Sequence, residues 1–298
     1  MSILRMIGKG IGGIAALGAV AIGGVYAQTQ WTLTRKGAPP PRNALVVASD
    51  STTLARGEQL AQAYGCQDCH TSDLAGKVMA DDPAFGRLVS SNLTGGAGGV
   101  LSHYDDRALD AAIRDGVSWD GRKLVIMPSN EYSSLADNDV AALIANLRRR
   151  PPVDRVLPRT ELGPVGRALI ATGKIAVPYN VIDHARSTRA TAPTGGTIEQ
   201  GRYLAAGCVG CHGDDYGGGP VPGAAAGSKP AANITPSGNA ARWSQSDFVK
   251  AFRTGVRPDG TVIDSLMPWR AFGKLSDEEL QAVYLYLRTL PPKALATK

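Results

Sequence analysis

The sequence contains Cys208-Val209-Gly210-Cys211-His212, and a second copy of the pattern stands at Cys66-Gln67-Asp68-Cys69-His70. Together the two copies use all 4 cysteines of the 298-residue chain. Two thiols three positions apart can each form a thioether to one vinyl group of the same porphyrin, and the histidine that follows is then placed under the iron as its proximal ligand. Rival readings of Cys-x-x-Cys explain less. Four thiolates could build a tetrahedral zinc site, but both histidines would then have no role. A thiol–disulfide redox pair belongs at the head of a helix in a strand–helix–strand unit, and neither motif sits in such a pattern. The pair therefore reads as two attachment sites for haem c, with Cys66, Cys69, Cys208 and Cys211 binding the macrocycle and His70 and His212 binding iron.

Both motifs sit inside an internal repeat. Arg56-Gly57-Glu58-Gln59-Leu60 matches Gln200-Gly201-Arg202-Tyr203-Leu204, each on a helix that runs into its motif, and Thr197 with Gln200 forms a capping-box pattern. Asn92-Leu93-Thr94 matches Asn233-Ile234-Thr235, and Tyr104 matches Trp243 ahead of a short amphipathic helix. Met127-Pro128 matches Met267-Pro268. A closing helix carries Val140, Leu143, Ile144 and Leu147 in one copy and Leu280, Val283, Tyr284 and Leu287 in the other, an apolar stripe at helical spacing, and stops before a double proline in both. A unit of about a hundred residues, ordinary for one globular domain, has been duplicated.

The sixth ligand separates an electron carrier from an enzyme, because an iron closed on both faces offers no site to a substrate. Met127 and Met267 are the methionines that the repeat aligns, and each precedes a proline, which holds it extended on a loop. Core filler is the ordinary role of methionine, but the alignment favours thioether ligation of iron at both. His103 and His184 are left over; His103 aligns with Arg242, and His184 falls between the two repeats. The paired Asn-x-Thr sequences read as structural elements rather than glycosylation sites, with their amides and hydroxyls expected to face haem propionates.

The net charge is +6, from 32 Lys and Arg against 26 Asp and Glu, with 36 Gly, 19 Pro and only 4 Phe. This loop-rich composition suits domains whose cores are partly a flat apolar macrocycle. With no thiol left over, cysteine usage fits an oxidising compartment. Near the N-terminus, Arg5 and Lys9 precede Gly10–Ala27, an uncharged run expected to be an export signal or, in preference, a retained anchor in the inner membrane, with Trp31, Arg35 and Lys36 at the far interface. Gly37–Pro41 reads as a disordered tether. The basic segment 153–193 is expected to hold one helix between Gly163-Pro164 and Gly173, and to form a strap packed across both repeats rather than a docking site for an acidic partner.

Taken together, Cys-x-x-Cys-His, Asn-Leu/Ile-Thr, Gly-Val…Asp-Gly, Met-Pro and a helix before Pro-Pro resemble the bacterial class I cytochrome c domain, over nearly all of 51–152 and 194–293. The whole resembles dihaem cytochromes c related to the cytochrome subunits of periplasmic alcohol and aldehyde dehydrogenases. The resemblance implies an all-α fold: an N-terminal signal or anchor with its spacer (1–47), a first cytochrome c domain (48–152), a linker (153–193) and a second domain (194–298). It implies a periplasmic electron carrier with two haem c groups and no catalysis of its own, passing electrons from a dehydrogenase or quinol to a terminal oxidase or small cytochrome. Nucleic acid is not an expected partner. Those dehydrogenase subunits commonly carry three haems against two here. The competing readings are a dihaem peroxidase, which needs an openable iron that two aligned methionines argue against; a thiosulfate-oxidising enzyme, which needs a spare cysteine; and a subunit of a respiratory oxidase, which the long linker fits less well.

Overall fold

The computed structural model describes residues 3–222, 224 and 227–293, with side chains from Ala16 onward. The chain opens with α1 (Ile3–Thr34). The first half follows as α2 (Ser51–Ala63), α3 (Cys66–His70), a hairpin of β1 (Lys77–Asp82) and β2 (Gly86–Ser90), then α4 (Asp106–Asp115), α5 (Ser129–Tyr132) and α6 (Asp137–Arg149). β3 (Glu161–Leu162), α7 (Pro164–Ala171) and α8 (Pro178–Val181) come next. The second half repeats the helical order as α9 (Ile198–Ala205), α10 (Val209–His212), α11 (Gln245–Thr254), α12 (Trp269–Phe272) and α13 (Asp277–Thr289).

Local chemistry sets these boundaries. Asp50 caps α2 by accepting from the backbone N–H groups of Thr52 and Thr53, both at 3.0 Å. Ser244 with Asp247, and Ser276 with Glu279, form reciprocal capping boxes on α11 and α13. On α9 the pattern is only half realised: the Thr197 hydroxyl accepts from the Gln200 backbone N–H, while the Gln200 side-chain Oε1 accepts from the N–H of Gly196. Gly116 and Gly255, at φ of 66° and 72°, end α4 and α11 in the left-handed region that glycine adopts without cost.

In each half the helix before the haem motif crosses the closing helix, α2 against α6 and α9 against α13. The stripe Val140, Leu143, Ile144 and Leu147 is buried, as are Leu280, Val283 and Leu287. The apolar core is continuous through both halves. A polar seam also joins them. The Arg56 guanidinium lies 2.9 Å from Asp139 and 2.5 Å from Glu279, and the Tyr203 hydroxyl donates to Asp139 at 2.8 Å. Breaking a pair of this kind from one side leaves buried carboxylates uncompensated.

Three expectations need correction, and the N-terminal helix extends beyond its expected run. The fold is not all-α, because β1, β2 and β3 form an antiparallel sheet in that order, with Lys77 paired to Ser90 and Gly86 to Leu162. Between His212 and Asn233 the second half has a stretch of nearly equal length that, among its described residues, carries a single bridge, Gly219 to Ala231, in place of the hairpin, and the third strand of the sheet arrives from the linker, far along the chain. Residues 37–41 are not a loose tether: Gly37 N–H donates to Gly121 O at 2.9 Å, and Arg42 beyond them grips Asp115 with two hydrogen bonds of 2.5 and 2.8 Å. The linker does carry its expected helix, α7, opened by Pro164, but it lies mainly along the first half. Two of its arginines are spent on the first half, Arg155 on Asp73 and Arg186 on Asp115. Finally, α1 runs past Ala27 to Thr34, and its last turns pack on α7, with Thr29 donating to the Arg167 carbonyl at 3.0 Å. Among the described residues no helix is long and apolar enough to cross a membrane, and the side chains of the first part of the expected anchor, up to Ala15, lie outside the described residues.

Candidate haem sites

Each motif is a single helical turn entered through a glycine. Gly65, at φ 69°, turns the chain from α2 into Cys66–His70. Behind each motif stands a bulky residue in the left-handed region, Leu74 at φ 58° and Tyr216 at φ 59°. Such outliers persist where surrounding bonds over-determine them, and here Leu74 O accepts from Leu93 N–H at 2.7 Å and Tyr216 O from Ile234 N–H at 3.1 Å. The Asn-x-Thr segment is thereby laced to the motif in both halves.

The same lacing orients the histidines. His70 Nδ1 lies 2.8 Å from Ser91 O, and His212 Nδ1 lies 2.7 Å from Ala232 O. A carbonyl can only accept, so Nδ1 carries the proton and Nε2 presents its lone pair, the tautomer of a metal ligand whose ring is fixed from behind. Burial lowers both pKa values from the ordinary 6.5 and keeps the rings neutral. In the first half the Ser90 hydroxyl also donates to Cys69 O at 2.6 Å, so the hairpin braces the motif directly.

All four cysteines are free. Burial pushes the Cys66 and Cys208 thiols up to about 12, which suppresses thiolate chemistry. Among the described residues no three His, Cys, Asp or Glu side chains converge to hold a metal ion, so the two thiol pairs do not gather into one tetrahedral zinc site. In the second half Cys208, Cys211, His212 and Met267 line one cavity, closed in part by Phe272 and, from the first half, Tyr64. Its empty space, open solvent included, is roughly 560 Å³. Met127 is not among its lining residues; like Cys66, it lies partly buried against the core. A pair of thiols, a neutral histidine oriented through Nδ1 and a thioether around an apolar cavity are the donor set that a covalently bound haem requires.

Residues 198–291 match the family model described as cytochrome c. The second half is a cytochrome c domain. This chain is 30% identical over 286 residues to the fructose dehydrogenase cytochrome subunit of Gluconobacter japonicus, a match covering 85% of this chain and 56% of that one. It is 27% identical over 267 residues to a diheme cytochrome c-type protein of Cereibacter sphaeroides, covering 79% and 85% respectively. To the cytochrome c subunit of the quinone alcohol dehydrogenase of Gluconobacter oxydans it is 34% identical over 113 residues, 34% of this chain and 23% of that one. The chain thus spans about half the length of the first of these relatives and less of the third. The cytochrome c domain implies covalently bound haem and electron transfer, and the resemblance to dehydrogenase cytochrome subunits and to dihaem cytochromes c holds.

The two asparagines of the Asn-x-Thr segments take places that differ from expectation. Asn92 and Asn233 do not reach out toward propionates. Each side-chain carbonyl accepts from the N–H and hydroxyl of the threonine two positions on, at 2.7 to 2.9 Å, and each amide donates back to the chain beyond the double proline, to Val153 O at 2.8 Å or Lys293 O at 3.0 Å. Both are buried. His184 bonds Asp115 and Tyr179 O, and the exposed His103 stacks on Trp119 at 4.7 Å. Tyr64, Tyr132 and Glu131 were not legible as site residues, because each stands in one half and faces the other.

Proposed function

We propose that this chain is a dihaem class I cytochrome c that carries electrons in the periplasm, with residues 48–152 and 194–298 as its two cytochrome c domains. Cys66 and Cys69 hold one haem c, Cys208 and Cys211 the other. His70 and His212 are the proximal ligands, and Met127 and Met267 close the opposite faces. Bound haem iron supplies reversible one-electron oxidation and reduction. The carrying observation is the duplicated histidine with Nδ1 held by a backbone carbonyl and Nε2 free. The protein's own part is to hold each imidazole neutral and fixed, to keep water from the attachment site, and to leave no position for a substrate.

Electrons enter from a dehydrogenase or quinol and leave to a terminal oxidase or small cytochrome. The names of the relatives support a dehydrogenase as partner. Exposed Leu17, Val20 and Ile22 on α1 support attachment to the inner membrane. The test is haem content together with carbon monoxide binding to the reduced protein. We expect two haems per chain, no binding by the wild type, and binding at one haem in Met267→Ala or Met127→Ala. Stoichiometric binding by the wild type overturns the closed-iron reading, and a single haem overturns the two-centre one.

A further inference from the structure

The two candidate haem sites share a boundary. Gly65, which precedes Cys66, and Gly207, which precedes Cys208, line the same cavity. The edge of the Tyr64 ring lies 3.6 Å from the position a Cβ would take on Gly207. Onto this boundary α5 of the first half projects Glu131, whose carboxylate lines the cavity beside Cys208 and Cys211. A Cβ on Gly210, between the two attachment cysteines, would overlap Glu131 Oε1. Glycine at that position is what admits the carboxylate.

Among the described residues no cation or hydrogen-bond donor engages Glu131, and burial alone shifts its pKa, upward. The position aligned with Glu131, four after Met127, is Ala271, four after Met267. The carboxylate therefore breaks the symmetry of the repeat, and it does so at the second site.

We propose that Glu131, reaching from the first half onto the Cys208–His212 segment, sets the reduction potential of the second haem and thereby the order of the two. The proposal rests on the dihaem reading above. Ferric iron carries one positive charge more than ferrous, so an uncompensated carboxylate in a partly desolvated site favours the oxidised form and lowers the potential. Glu131 does not touch the reacting electron; it acts through the field at the attachment segment.

The experiment is spectroelectrochemical titration of the full-length holoprotein and of Glu131→Gln, with the second haem identified as the one perturbed in Met267→Ala. In Glu131→Gln we expect the equilibrium distribution of one electron between the haems to move about tenfold toward the second. At 59 mV per decade for one electron this is a rise of roughly 59 mV, with the first haem unmoved. Gly210→Ala, which displaces the carboxylate without removing it, moves the same potential in the same direction by less, and serves if Glu131→Gln fails to fold. Two haems with unchanged potentials in both variants overturn this inference alone. A wild type with one haem overturns the dihaem reading and this inference with it.

Discussion

The backbone of Gly57 lies directly against the carbonyl oxygen of Ala142, with no room for a Cβ between them, and Gly201 meets Ala282 in the same way. The two helix crossings that frame the haem motifs are thus set by a glycine on one helix and an alanine carbonyl on the other. Close approach at these points brings each stripe of leucine, isoleucine and valine into the core beneath its motif.

For Gly57→Ala, helix propensity and packing predict opposite signs. Propensity favours alanine by about 1 kcal/mol in a helix interior, whereas overpacking a helix crossing costs about 1–3 kcal/mol. The clash is with backbone, which cannot swing aside, so packing wins. Gly57→Ala and Gly201→Ala are each expected to lower stability by up to about 2 kcal/mol net, read as a lower guanidinium midpoint. A midpoint at or above that of the wild type means that the helices can separate at little cost.

The turn at Asn233 makes a second prediction that also separates two roles. Its amide and carbonyl are spent on Lys293 O, Thr235 N–H and the Thr235 hydroxyl. Asn233→Leu strands those buried partners at a cost of about 1–3 kcal/mol. Because the amide serves the turn and not a propionate, the reduction potential of the bound haem should stay at its wild-type value in the folded variant. A potential shift without loss of stability would return the residue to the haem.

Asp73 gives a dependence on pH. A hydrogen bond from the Thr71 hydroxyl, the Ala75 N–H and then Arg155 at 2.9 Å hold its pKa down at about 2. An unfolded aspartate titrates near 3.9. A folded pKa below the unfolded one adds stability that is present above about pH 4 and is lost as pH falls toward 2. The group is largely solvated, so the effect is small. The difference in thermal midpoint between wild type and Asp73→Asn should therefore shrink from pH 5 to pH 2. A difference that is constant over that range would mean that the carboxylate contributes through its shape alone.

Much of the architecture was legible locally. A thiol–thiol–histidine trio needs no context to be read as haem attachment, helix periodicity marks the buried stripes, and Pro164 and Gly173 bracket α7 as expected. Duplication then made each reading twice as specific, because an accidental feature seldom recurs at the same offset. The hairpin was not legible, since every residue of β1 is exposed and the strand carries no alternation of apolar and polar residues. The fate of Asn92 and Asn233 was not legible either, because their acceptors lie some sixty positions away in the chain.

Residue types at short, fixed spacing therefore determined the cofactor chemistry and the repeated helical order, because thioether formation, capping and amphipathic periodicity act over a few residues of chain. The long-range contacts settled the rest: the sheet closed by Glu161–Leu162, the clamp of Arg42 on Asp115, the seam of Arg56 with Asp139 and Glu279, and the carboxylate of Glu131 beside Gly210. Each depends on how close two distant segments come once the core is filled, a quantity fixed by packing volume and by the compensation of buried charge, to which no local pattern of residues has access.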